Sequence, residues 1–375
     1  MIPAWKLQRE LRRMRDQILG LPAALMALPA RLREPARRKA WLRDFDLDCR
    51  QTAGALTLGG QVAVVLIYQP KGIPPSVLRT LAWLRGAGLV PFVVSNSPLR
   101  DEDRAQLLPH AGRLLERPNF GYDFGGYQDA IRLLTAEGLG QDRLVIMNDS
   151  VWLPMCEGLM DRVDARMADG ADICGVLRDE KVRHDAAGGQ PDMARFHLES
   201  YFYMFSARTI AHPAFQAYWR DYQMTDFKPD TIKRGEIGFS RAMDRAGLRL
   251  DALSDRARFL HEIALRDDVF LRDTLRFAAC DGADLCRENR RLLDLDPASP
   301  GWREAALEHI RRAVNRRRFN TTYPLANDAI FGTLFLKKSR EPIFRLLRVQ
   351  YLRAVDEGLI TRPDEDVLAE IRATL

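Results

Sequence analysis

The amino-acid sequence predicts an α/β protein with a doubly wound, mostly parallel sheet, a helical carboxyl-terminal region and a basic, helical amino-terminal segment. Three observations carry this expectation. Val62 to Tyr68 (VAVVLIY) is an unbroken apolar run, as a strand buried on both faces must be. Pro75 to Gly86 (PSVLRTLAWLRG) follows at helical spacing, opened by proline and closed by glycine. Leu89 to Ser95 (LVPFVVS) is then a second strand, ending in Ser95-Asn96-Ser97. Strand, helix and strand in one sheet impose a right-handed crossover.

The pattern continues down the chain. Asp101 to Ala111 reads as a short helix, Gly112 to Glu116 as a third strand and Leu144 to Met147 as a fourth. A helix is expected at Gly158 to Ala168 and a short strand at Asp172 to Leu177. The polar stretch Arg178 to Arg195, with Gly188 and Gly189, reads as a mobile loop. Phe196 to Ser206 (FHLESYFYMFS) reads as one aromatic strand, Pro213 to Tyr222 and Thr231 to Ala246 as helices, and Leu248 to Leu253 as a last strand. From Arg266 the chain is helical and charged, broken at Pro297 to Gly301 and at Phe319 to Pro324, with closing helices from Asn327 and Pro363. The expected division is a basic segment over 1–55, an α/β domain over 56–265 and a helical region over 266–375.

Composition sets the outer limits. The chain has 375 residues, 46% hydrophobic and 29% charged, which suits one large or two medium cores. A net charge of +6 favours anionic partners such as nucleotide phosphates or anionic lipid. Its five cysteines, Cys49, Cys156, Cys174, Cys280 and Cys286, are scattered without CxxC spacing, which fits a reducing cytoplasm better than a disulfide framework or structural zinc. No apolar run reaches about eighteen residues, and the amino terminus lacks the pattern of a signal peptide. At the amino terminus Lys6, Arg9, Arg12, Arg13 and Arg15 alternate with Trp5, Leu7, Leu11, Met14 and Ile18 at helical spacing. Arg31, Arg33, Arg37, Arg38, Lys39 and Arg43 follow, with Trp41. Two readings stand: an amphipathic helix on an anionic membrane surface, or a helix packed on the main domain. No fold-level motif supports nucleic-acid binding.

The chemistry-bearing stretch runs from Glu116 to Met155. Arg117 to Gly126 (RPNFGYDFGG) is a polar, glycine-rich turn that leads into a short helix at Tyr127 to Ala136. The fourth strand then releases Asn148-Asp149-Ser150 at its carboxyl end, where ligands of open α/β sheets bind. A carboxylate there, facing a glycine-rich loop, suits a metal and the phosphates it bridges. Gly121, Gly125 and Gly126 permit close backbone approach, and Asn119 and Asp123 offer acceptors to ribose or sugar hydroxyls. The plainer reading is a helix entry with Asp123 as its N-cap. No GxGxxG follows the first strand, which disfavours a nucleotide-binding oxidoreductase.

Arg117-x-Asn119-x-Gly121-Tyr122-Asp123-Phe124-Gly125, followed by Asn148-Asp149-Ser150, resembles the rhamnan synthesis F family of bacterial polysaccharide glycosyltransferases. The resemblance continues in His197-Leu198-Glu199-Ser200-Tyr201-Phe202 and Glu236-Ile237, and more weakly in Asn320-Thr321-Thr322 and Phe335-Leu336-Lys337-Lys338. It implies a GT-A-like fold and transfer of a sugar, rhamnose by the family's name, from a nucleotide-sugar donor such as dTDP-rhamnose. The implied acceptor is a glycan or lipid-linked glycan, a growing surface polysaccharide or O-antigen. The implied place is the cytoplasmic side, with peripheral membrane contact through residues 1–45. Tyr68 and Asn96 would then lie near base and ribose, and Asn119, Gly121 and Asp123 would line the donor pocket. Asp149 would hold Mg²⁺ or Mn²⁺ against the donor pyrophosphate, and Glu236 would be the general base of an inverting enzyme. His197 has two readings, a contact to the pyrophosphate or acceptor or a hydrogen-bonded strand histidine, and His261 is a remote candidate for a further metal ligand against the plain reading of a surface residue. Asn148-Asp149-Ser150 offers one carboxylate where the Asp-x-Asp motif of such enzymes has two. The alternative of a different class is a non-catalytic subunit that keeps the fold and organises a glycan-assembly complex.

Overall fold

The structure is a computed structural model describing residues 28–183 and 190–375. Residues 28–48 form helix α1, and strand β1 (Arg50–Ala53) follows it. The expected strands appear as β2 (Gln61–Ile67), β3 (Val90–Ser95), β4 (Arg113–Glu116) and β5 (Arg143–Asn148). Between them run helices α2 (Pro75–Gly86), α3 (Asp101–Leu107) and α4 (Tyr122–Glu137). The short strand β6 (Val151–Trp152) leads to α5 (Leu159–Ala168), and then come β7 (Ile173–Arg183), β8 (Gln190–Leu198) and β9 (Phe202–Ser206). Helices α6 (Ala207–Ala211), α7 (Pro213–Asp221), α8 (Lys228–Arg234) and α9 (Glu236–Arg245) precede β10 (Leu250–Ser254). A helical stretch follows, interrupted by β11 (Leu336–Lys337).

The main sheet has the order β1-β4-β3-β2-β5-β9-β7-β10, with β8 paired to β7. Strands β4, β3, β2 and β5 run parallel, β9 lies antiparallel between β5 and β7, and β10 is parallel to β7. From β2 the chain steps outward through β3 to β4, then returns to lay β5 on the other side of β2. That reversal opens a crevice at the carboxyl ends of β2 and β5, the place where such sheets take ligands.

Alternate residues of each strand feed two cores. Ala63, Val65 and Ile67 pack with α2, α5 and carboxyl-terminal helices carrying Leu271, Trp302 and Ile310. Val62, Val64 and Leu66 pack with Phe124 and Tyr127 of α4, Trp219 of α7 and Phe239 of α9. Both faces of β2 are therefore covered, which is why its sequence is apolar without alternation. The last two helices, Pro342–Asp356 and Glu365–Ala373, form a third cluster around Trp152.

Four local expectations are corrected. Helix α4 begins at Tyr122 rather than Tyr127, and Gly121, at φ +81°, takes the N-cap position expected of Asp123. The stretch expected to be a loop is a hairpin of β7 and β8 wherever it is described; residues 184–189 lie outside the described residues. Phe196 to Ser206 is two strands, split at Glu199-Ser200-Tyr201, where the Tyr203 hydroxyl donates to Leu198 O at 2.8 Å. Thr231 to Ala246 is two helices, because Gly235 bends the chain where a Cβ would lie 2.5 Å from both the Phe124 ring and Thr231 O. This bend makes Glu236 the first residue of α9.

The glycine-rich turn is held by one buried guanidinium. Arg117 Nε donates to Asp129 Oδ2 at 2.9 Å, Nη1 to Asn96 Oδ1 at 2.6 Å and Nη2 to Phe120 O at 2.5 Å. Asn96 Nδ2 in turn donates to Asn119 Oδ1 at 3.0 Å and to Tyr122 O at 2.9 Å. A Cβ on Gly125 would fall 2.3 Å from Phe120 O, and one on Gly126 2.3 Å from Leu66 Cδ1. The close approach these two glycines permit is therefore to the chain itself.

Helix α1 docks on the same turn. Trp41 and Phe45 are buried, and Trp41 Nε1 donates to Asp129 Oδ1 at 3.3 Å. Arg31 pairs with Asp230 at 3.1 Å, and Arg37 pairs with Asp226. Residues 28–48 of the basic segment thus pack on the main domain, while residues 1–27 lie outside the described residues. Among the described residues no helix is long and apolar enough to cross a membrane.

Two stability predictions follow from this packing. Trp41→Ala should lower the unfolding free energy by about 3 kcal/mol in urea titration, the cost of emptying a buried indole site. An unchanged midpoint would show that α1 adds nothing to the core. Arg117→Ala, which strands Asp129, should cost about 3–5 kcal/mol, whereas Asn119→Ala at the exposed rim should cost under about 1 kcal/mol. Equal losses would remove the guanidinium from its central place.

Candidate active site

Asp149 stands where β5 parts from β2. Its amide donates to Leu66 O at 3.0 Å, and its Oδ2 accepts from Tyr68 N at 2.9 Å and Gln69 Nε2 at 2.7 Å. The Tyr68 ring is exposed beside it. Enclosure pushes the Asp149 carboxyl above its ordinary value, and Lys338 and the two donors pull against that rise. The flanking residues face elsewhere. Asn148 Nδ2 donates to Ser200 O at 3.1 Å and Asp123 Oδ2 at 3.3 Å, while Asn148 Oδ1 accepts from Ser150 N and Oγ.

A second acidic centre lies beyond Asn148. Asp123, in the first turn of α4, has Oδ2 at 3.4 Å from Ser200 Oγ, which donates to Glu236 Oε1 at 2.5 Å. Ser200 has one hydroxyl proton for two carboxyl groups, and the shorter contact goes to Glu236. His197 Nε2 lies 4.0 Å from Glu236 Oε2 and 3.5 Å from Glu199 Oε1. Arg318 Nη2 reaches Glu199 at 2.5 Å and Asp179 at 3.0 Å. Lys337 Nζ donates to the Tyr201 hydroxyl at 2.9 Å.

Charge distribution drives the two glutamates apart. Burial raises the Glu236 carboxyl, Glu199 and Asp123 raise it further, and the result is a pKa of about 7 despite Ser200 and His197. Burial also pushes Glu199 up, but Arg318 and His197 more than reverse it, to about 2. One carboxylate is thus permanently charged and the other is poised near neutrality. Two carboxyls so separated suit separate roles as anchor and proton acceptor. Burial likewise holds Asp123 above its ordinary range.

Of the residues singled out in the sequence, Asp149, Asp123, His197 and Glu236 gather along one crevice, bridged by Asn148 and Ser200. Tyr68 meets Asp149 through its backbone, and Asn96, Asn119 and Gly121 build the wall of the turn. His261 is exposed on the helix Arg256–Ala264. Sequence reasoning assigned no role to Gln69, Asp179, Glu199, Arg318, Lys337 or Lys338. The adjacent lysine pair was the available signal for two of them; Arg318 is indistinguishable in the run Arg316-Arg317-Arg318.

The donors available to a metal divide unevenly. Asp149 is a single carboxylate with Oδ2 already accepting two hydrogen bonds. Among the described residues, one set of three ligand-type atoms lies within 4.8 Å of one another, on Asp179, His197 and Glu199. Both of its carboxylates already hold the Arg318 guanidinium. A separate cavity of about 920 Å³ lies between α1, α4 and α7, lined by Trp41, Leu134, Phe215 and Trp219 and by none of the clustered acids.

Comparison with known proteins bears on this arrangement. The chain is 33% identical over 253 residues to an uncharacterized protein of Sinorhizobium fredii, y4gN; the match spans 68% of this chain and 62% of that protein's length. A crystal structure of 4-diphosphocytidyl-2C-methyl-D-erythritol synthase aligns with 51% of this chain and 89% of its own, at 13% identity and a TM-score of 0.33. Residues 91–274, which carry Asp123, Asp149, His197, Glu199 and Glu236, match the model of the rhamnan synthesis protein F family.

Proposed function

We propose that the protein is an inverting glycosyltransferase of polysaccharide synthesis. It moves a sugar, rhamnose by the family's description, from a nucleotide-sugar donor to a hydroxyl of a growing surface glycan. The observation that carries this reading is Glu236, a carboxyl that burial and its acidic neighbours raise to about 7, hydrogen-bonded to Ser200 and through it set beside Asp123. A general base works best when its pKa lies near the operating pH. The acceptor O–H gives its proton to Glu236 as the acceptor oxygen bonds to the anomeric carbon. The bond from that carbon to the diphosphate breaks on the opposite face, its electron pair leaving with the diphosphate. Asp123 and Asp149 line the donor's path, Asp149 by fixing the Tyr68-Gln69 turn beside the nucleotide. On this reading the reaction belongs to the cytoplasmic side, where nucleotide-sugar donors are made.

Because Glu236 must be ionised to accept a proton, kcat/KM should rise about tenfold per pH unit below 7 and level off above it, as initial rates across pH would show. Glu236→Gln should lower kcat by roughly 10²–10⁴-fold with an unchanged melting temperature. Full turnover in that variant would return Glu236 to a structural part. Asp149→Ala should abolish transfer; a protein that keeps its fold and its full donor KM would take Asp149 out of the site. A wild-type chain that binds no nucleotide in thermal-shift screening would favour the scaffold alternative.

A further inference from the structure

A departing nucleoside diphosphate gains negative charge and needs a cation beside it. Enzymes of this kind commonly use a divalent metal held by two neighbouring acids. Here the corresponding segment has one acid, and its neighbour Asn148 turns its side chain to Ser200 and Asp123. At the other candidate set a guanidinium already spans both carboxylates. A divalent ion entering there would have to displace Arg318 and leave that charge unpaired in a partly buried place.

The crevice has cations of its own. β11 pairs antiparallel with β6, the segment immediately after Asp149 and Ser150, and the Lys338 amide donates to Ser150 O at 2.9 Å. Successive side chains of an extended segment point apart. Lys338 accordingly lies by Asp149, with Nζ 3.2 Å from Ser76 Oγ, and Lys337 lies by Glu199 and Glu236. Lys337, Lys338 and Arg318 are all partly exposed. One short ladder therefore supplies an ammonium group to each acidic centre.

Resting on the transferase reading above, we infer that Lys337, Lys338 and Arg318 together replace the divalent metal, so that a nucleoside diphosphate binds with protein cations alone. Fixed cations do this without a metal-loading step, and their attraction is weakened by salt where the crevice is open to water.

Isothermal titration of the full chain with dTDP, UDP and GDP, each in EDTA, in Mg²⁺ and in Mn²⁺, tests the inference. At least one diphosphate should bind with the same Kd in all three conditions. Lys337→Met should weaken it about tenfold, Lys337→Arg should restore most of the loss, and wild-type affinity should fall steeply with added salt. Arg318→Met should do the same if it folds; its melting temperature is the check, since Glu199 loses its partner. Binding that appears only with a divalent ion, or that is unmoved by Lys337→Met, overturns the inference while leaving the transferase reading in place. Absence of binding to every diphosphate in every condition overturns both.

Discussion

Burial of several carboxyl groups in one crevice is the constraint on which the site depends. Asp123, Glu236 and Glu199 are joined through Ser200 and His197 over a few contacts, in surroundings that water screens poorly. Such a cluster stands only if cations and hydrogen-bond donors are brought to it. They come from far along the chain: Arg318 from the loop after a carboxyl-terminal helix, Lys337 and Lys338 from β11. The carboxyl-terminal helices thus do more than extend the core. By packing on the same sheet face as α2 and α5 they anchor the loop and the strand whose charges make the acidic centre tolerable.

The same cluster sorts its members. Arg318 contacts Glu199 and keeps it ionised, so Glu199 in turn repels charge from Glu236. Cations gathered on Glu199, and burial with few cations at Glu236, give the two carboxyls opposite behaviour. Ser200 then aims Glu236, and Asn148 ties Asp123 to the end of β5. The chemistry sits on strand ends and helix starts held by the sheet.

The turn beside it is equally fixed. Arg117 is fully enclosed, stacked 4.8 Å from the Trp41 ring, and bonded to a helix, a strand end and the turn itself. Gly125 and Gly126 allow α4 to settle against Phe120 O and Leu66. A wall made this way reaches its ligand already ordered and loses little entropy on binding.

Local sequence determined the strands β2, β3, β4 and β5 and the acid at the end of β5, because a strand covered on both faces must be apolar throughout and a strand end must be polar. It also determined that a glycine-bearing turn precedes a helix, although Gly125 and Gly126 lie inside that helix and only Gly121 belongs to the turn. It did not determine the break between β8 and β9, where no glycine or proline stands, or the bend at Gly235, where the backbone lies too close to Phe124 and Thr231 O for a Cβ. Nor did it single out Arg318 among its neighbouring arginines or send Lys337 and Lys338 to separate acids. Those assignments belong to the tertiary structure alone, since electrostatic partners are chosen by distance in space, and the β6–β11 ladder joins segments nearly two hundred residues apart.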